Sequence, residues 1–256
     1  YADKIKFTRE QMKKFYKHHY TMSNMAIVAV GNIRLEEVLQ YTERYFDHTQ
    51  TEKPCVTPPV PKDMRVTTTG LLGAGSSAAV RIATPMDAPF VGKYLNNEIA
   101  YRAAIEAMNA LCYQRFRTDT GIAYESEVAL NDINDPNAWS IVGDANVSAE
   151  KIKTTESLFR DIFSRTSDSY SETAIASAVG STRSDILCRM DSIEDRTELY
   201  IQNLEHQTEP KDLQQVAQSA HNLQDDSVRA AIDEIVEYMG THNTMTHITG
   251  SKRAMK

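Results

Sequence analysis

The sequence predicts an α+β fold with two layers: a mostly antiparallel sheet covered on one face by helices. Short apolar stretches with strand character recur at 64–72, 78–84, 122–130 and 139–146, the last two joined by the turn-rich 131–137. From 148 onward helical periodicity dominates. Strands and helices are therefore segregated, whereas a doubly wound sheet would alternate them.

Taken in order, Thr8 and Gln11 have the spacing of a capping box, and Met12, Phe15, Tyr16 and Tyr20 fall on one face of the helix that follows. After the turn at Asn24, the apolar run 25–30 reads as a buried strand ending at Gly31. A short helix from Leu35 to Phe46 comes next. Residues 47–63 form a linker, because four prolines between Pro54 and Pro61 favour an extended, solvated backbone. Past it come the strands at 64–72 and 78–84. A long helix over 90–116 then carries Tyr94, Ile99, Ala103, Ala107, Ala110 and Leu111. The break at Gly121 ends it, and the strand 122–130 follows. Beyond the strand 139–146, a helix capped by Ser148 places Ile152, Leu158, Phe159, Ile162 and Phe163 on a face. Two longer helices fill 171–206.

The beginning of the chain returns near its end. Thr8, Tyr16, Tyr20, Asn24 and Gly31 stand in register with Ser227, Ile235, Met239, Asn243 and Gly250, each set spelling cap, amphipathic helix, asparagine turn and strand. The second copy predicts Ser227 as the cap and a strand at 244–249. This repeat divides the chain into the tail of a preceding unit (1–46), the linker (47–63) and a complete unit (64–256). The opening Tyr1-Ala-Asp-Lys, with neither an initiator methionine nor a signal-peptide pattern, reads as an expression or cleavage boundary, so the absence of a targeting signal carries no meaning.

Composition narrows the function classes. The chain has 256 residues, 41% of them hydrophobic, enough to bury a substantial core. A net charge of −7 excludes a nucleic-acid backbone as the main partner, since that requires a basic surface. No apolar run approaches the roughly 20 residues that span a bilayer. Cys55, Cys112 and Cys188 are too few and too scattered for a disulfide framework and read as free thiols. Gly73 to Ala78 spells a G-x-G-x-x-A, but a strand rather than a helix follows, so no helix N-terminus awaits a pyrophosphate. His18 and His19 are adjacent on a helix and point about 100° apart, unsuited to sharing one ion. Glu98, Arg102 and Glu106 make a solvated ion-pair row, and Trp139 reads as a core or hairpin residue.

The candidate site is Arg117-Thr-Asp-Thr-Gly-Ile-Ala-Tyr124. It places a permanent cation at a helix end and a phenol early in the next strand, where the two side chains can converge.

Three stretches together resemble the pitrilysin/insulinase family of zinc peptidases, which includes the mitochondrial processing peptidases. One is the segment Arg117 to Tyr124, which matches the Arg-x-x-x-x-(Leu/Ile)-(Gly/Ala)-Tyr of the family's zinc-free half. The others are the run from Phe7 through Gly31, like the helix-then-strand close of a family repeat, and the helix from Leu35 to Phe46. The family's inverted zinc motif, H-x-x-E-H, is absent: none of His18, His19, His48, His206, His221, His242 and His247 stands in that pattern.

The resemblance implies that this chain is the C-terminal, substrate-orienting half of a zinc metalloendopeptidase. It holds no cofactor itself; the zinc is expected in the missing half or in a partner subunit. Tyr124 would donate to the developing oxyanion or the carbonyl, and Arg117 would bind a substrate carbonyl or carboxylate. Peptide substrate and a zinc-bearing half are the implied partners, in a homo- or heterodimer where the half is a separate chain. The same resemblance admits an alternative, a non-catalytic scaffold or partner subunit like the processing-peptidase-like core subunits of respiratory complexes.

Overall fold

The computed structural model describes residues 7–46, 68–71, 77–131, 139–205 and 213–250. Five strands form one sheet in the order β1-β5-β2-β4-β3, with β1 Thr68–Leu71, β2 Ser77–Pro85, β3 Ser126–Asn131, β4 Ser140–Ser148 and β5 Met245–Gly250. The four strands from β5 to β3 are mutually antiparallel, and β1 joins the edge parallel to β5. This is the α+β arrangement the sequence predicts.

The sheet is two-sided by chemistry. Along β2, Ala78, Val80, Ile82 and Thr84 are buried, and their partners on β4 are Val147, Ala145, Gly143 and Ile141. Alternation with period two puts all eight on the face that packs against α4 Glu98–Tyr113 and α5 Ile152–Ile162. Each buried Val or Ile there contributes on the order of 1.5–3 kcal/mol. The opposite face carries the Arg81–Asp144 ion pair at 2.5 Å, whose exposure leaves it a small stabilising role.

Helices complete the core. Trp139 stacks edge-on against Tyr94 at 5.4 Å. From α9 Asp225–Thr241, Val228, Ala231, Ile232 and Ile235 are buried. Its Tyr238 hydroxyl donates to the Pro85 carbonyl at 3.0 Å and accepts from the Asp87 amide at 2.7 Å, fastening the turn after β2 to the last helix. The long pair predicted over 171–206 is α6 Glu172–Arg189, capped by Ser171, and α7 Ile193–Glu205; α8 Leu213–His221 precedes α9.

Several expectations are corrected. The helix predicted over 90–116 is two: α3 Ala88–Asn96 starts early because Asp87 caps it and Pro89 occupies its first turn, and Asn97 leaves helical geometry at φ −128° before α4. Ser148 caps no α-helix directly; its hydroxyl donates to Glu150 at 2.6 Å and a 3-10 turn precedes α5. In the C-terminal copy of the repeat, α9 begins at Asp225 with Gln224 as its cap, so Ser227 lies inside the helix.

The largest departure lies at 25–30. This run belongs to no strand, and Met25 and Ile27 are exposed. A strand needs a neighbour for its ladder, and none of the described residues supplies one. The flanking helices α1 Arg9–His19 and α2 Leu35–Tyr45 form as expected, α1 with both bonds of the Thr8–Gln11 capping box, yet neither buries a residue. The linker 47–63 with His48 and Cys55, the glycines of the G-x-G-x-x-A, and His206 fall outside the described residues.

Candidate functional site

Arg117 is presented by an irregular helix end. After Tyr113, α4 continues as a π-helix over Gln114–Asp119. Such wide turns release carbonyls that must be satisfied. The Thr120 hydroxyl contacts the carbonyls of Arg115 and Phe116 at 2.7 and 3.2 Å, and the amides of Ile122 and Ala123 donate back to Phe116 at 3.0 and 3.4 Å. Gly121 has φ +61°, the left-handed conformation that lets the chain reverse without a Cβ penalty.

One residue anchors this turn. Phe116 is fully buried, its ring 4.7 Å from that of Phe159 on α5. The next residue, Arg117, is exposed. A fixed core contact therefore sits beside a side chain free to meet a ligand.

The chain returns past Gly121 and brings Tyr124 to Arg117. The guanidinium carbon lies 4.3 Å from the Tyr124 ring centroid, a cation–π contact. The predicted convergence is thus present, although the strand assigned to 122–130 begins only at Ser126, so Tyr124 stands in the loop before β3. This placement leaves Tyr124 75% exposed. Among the described residues, neither its hydroxyl nor the Arg117 guanidinium makes a hydrogen bond or ion pair. The acid of the same turn, Asp119, is held by Arg115 at 3.3 Å.

Two features went unread in the sequence. Tyr113 contributes a second ring, its centroid 5.2 Å from the Arg117 guanidinium carbon; the spacing of four residues on a helix was the available signal. Asn109 on α4 accepts the Val128 amide at 3.0 Å through its side-chain carbonyl. That bond occupies an outward amide of edge strand β3 and narrows the room for a further strand there.

Metal chemistry has no home in these residues. Among the described residues, no group of three or more His, Cys, Asp or Glu side chains is placed to hold an ion, and no helix is long and apolar enough to cross a membrane.

The family model for the peptidase M16 inactive domain matches residues 6–181. The chain belongs to the peptidase M16 family. As an M16 inactive domain it shares its fold with solved structures of low sequence identity. The peptidase M16 inactive domain from Pseudomonas fluorescens matches at TM-score 0.69 with 15% identity, over 98% of this chain and 59% of that one. A protease from Helicobacter pylori matches at 0.67 with 13% identity, over 95% of this chain and 59% of that one. A chain of complex III from Candida albicans matches at 0.70 with 13% identity and the same two coverages, 95% and 59%. The M16 domain spans 59% of the length of each of these three, so it corresponds to part of a longer chain. No curated protein sequence matches it.

Proposed function

We propose that this chain is the zinc-free, substrate-orienting half of a zinc metalloendopeptidase. Arg117 holds a carbonyl or carboxylate of the bound peptide and fixes its register. Tyr124 donates its phenolic proton in a hydrogen bond to the scissile carbonyl oxygen, where negative charge develops as the carbonyl is attacked. A donor aimed at that position stabilises the transition state more than the ground state.

The observation that carries this reading is the pairing at 4.3 Å of an exposed guanidinium and an exposed phenol whose polar ends are unpaired among the described residues. Buried ion pairs in a structural role would have consumed those ends. Among the described residues no cluster is placed to hold a metal, and in this reading the ion is carried by another half, on the same polypeptide or in a partner subunit. The apolar side chains left exposed on 7–46, among them Phe7, Met12, Tyr16, Leu35 and Tyr45, support such a neighbour.

A second reading is a non-catalytic scaffold of the same fold. The likeness to a chain of complex III favours it, because that match is as good as those to the proteases.

Peptide hydrolysis by the complete assembly separates the two. In the peptidase reading, Arg117→Ala and Tyr124→Phe each lower turnover by about 10²-fold, the usual loss when an oxyanion donor is removed. In the scaffold reading neither has any effect, and no combination of subunits cleaves peptide.

A further inference from the structure

We infer that Tyr113 is a positioning residue for the Arg117 guanidinium, acting from the helix while Tyr124 acts from the loop; this rests on the substrate-orienting reading above. The geometry starts from the helix end. Side chains four residues apart are neighbours on one side of a helix. Tyr113 is the last residue of α4, and Arg117, four residues on, lies inside the π-helix Gln114–Asp119. The guanidinium carbon then lies 5.2 Å from the Tyr113 centroid and 4.3 Å from that of Tyr124.

Arg117 is the side chain the two rings share. Two carboxylates near this turn pair with other arginines, Asp119 with Arg115 at 3.3 Å and Asp161 with Arg165 at 3.0 Å. A guanidinium held against aromatic faces keeps its in-plane N–H groups exposed, which is the edge that grips a planar carbonyl or carboxylate. Arginine is also a long side chain with much rotamer freedom to lose on binding. Two rings that restrict it beforehand reduce that loss. Tyr113 is 49% exposed and contributes nothing to the buried core, so its ring is available for this task without a folding cost.

The inference predicts a distinct pattern across variants of the complete peptidase. Tyr113→Phe keeps the ring and stays within about twofold of the parent. Tyr113→Leu raises KM for a peptide substrate several-fold with a smaller change in kcat. In the background of Arg117→Ala, Tyr113→Leu has no further effect, because a positioning residue has nothing left to position. In this chain without substrate, Tyr113→Leu also shifts the Arg117 Nε–H resonance, since removing the ring removes its ring current. Loss of activity in Arg117→Ala with none in Tyr113→Leu, or full additivity of the two, overturns the role of Tyr113 and leaves the substrate-orienting reading standing. No loss in Arg117→Ala overturns both.

Discussion

Phe159 lies against the backbone of Gly143 so closely that a Cβ on the glycine would stand 2.5 Å from the ring's Cδ1. Gly143 is buried in interior strand β4 and Phe159 is wholly buried on α5. The same ring touches Phe116, the anchor of the turn that presents Arg117. A glycine in the sheet thereby makes room for the support of the candidate site. Gly143→Ala is expected to lower stability by about 1–3 kcal/mol through overpacking, read from denaturant midpoints. Peptide turnover should fall beyond what the unfolded fraction accounts for, because Phe116 shifts with its neighbour.

A second support joins the α5–α6 connection to α9. Asp233 accepts both the amide and the hydroxyl of Ser167, each at 2.7 Å, and Arg229 donates to the Ser167 carbonyl at 3.0 Å. Asp233→Ala leaves the amide of a buried serine without its acceptor. The expected cost is about 1.5–3 kcal/mol, the range for hydrogen bonds to a charged group, measured as a change in the free energy of unfolding.

Alkaline pH should destabilise the fold. Burial pushes the Cys112 thiol from 9.0 up to about 11, and burial likewise raises the phenols of Tyr101, Tyr170 and Tyr238. Each group holds its proton more tightly folded than unfolded. The unfolded chain therefore loses protons first, and stability falls with rising pH. For Cys112 the contribution is complete below pH 9.0 and is lost as the pH passes toward about 11. Unfolding free energies between pH 8 and 11, compared with Cys112→Ala, should show a smaller decline in the variant. At pH 8 a thiol reagent should modify exposed Cys188 and spare buried Cys112 in the native state.

The two copies of the helix-strand pattern are expected to differ in dynamics. β5 lies between β1 and β2, so its ladder amides are covered on both sides. The run 25–30 has no ladder among the described residues. In this chain alone, amides of 25–30 should exchange with solvent as in a peptide, while those of β5 are protected. Adding the half that completes the assembly should protect 25–30 if the preceding-unit reading of 1–46 is right.

That same contrast marks what the sequence could and could not convey. Alternation at 78–84 located β2 because both its neighbours, β4 and β5, are supplied by this chain. The run 25–30 has an equally strong apolar pattern, but pattern reports fitness for a sheet and says nothing of whether a neighbour is present. The break at Asn97 was hidden because the apolar stripe continues from Tyr94 to Ile99 across it. The proximity of the candidate pair was legible: the seven-residue spacing from Arg117 to Tyr124 across Gly121 did bring the side chains together. Tyr113 went unread although its four-residue spacing from Arg117 was available. The π-helix that carries Arg117 was out of reach, because its Phe116 is buried against Phe159, a contact no local window contains.

The most direct test of the central claim is steady-state hydrolysis of a peptide by the complete, zinc-loaded assembly carrying Arg117→Ala or Tyr124→Phe in this chain, with folding and assembly verified first. Substrate orientation by this pair predicts a fall in kcat/KM of about 10²-fold or more in each variant. Parent-level hydrolysis in both would contradict it and leave the chain a structural member of its assembly.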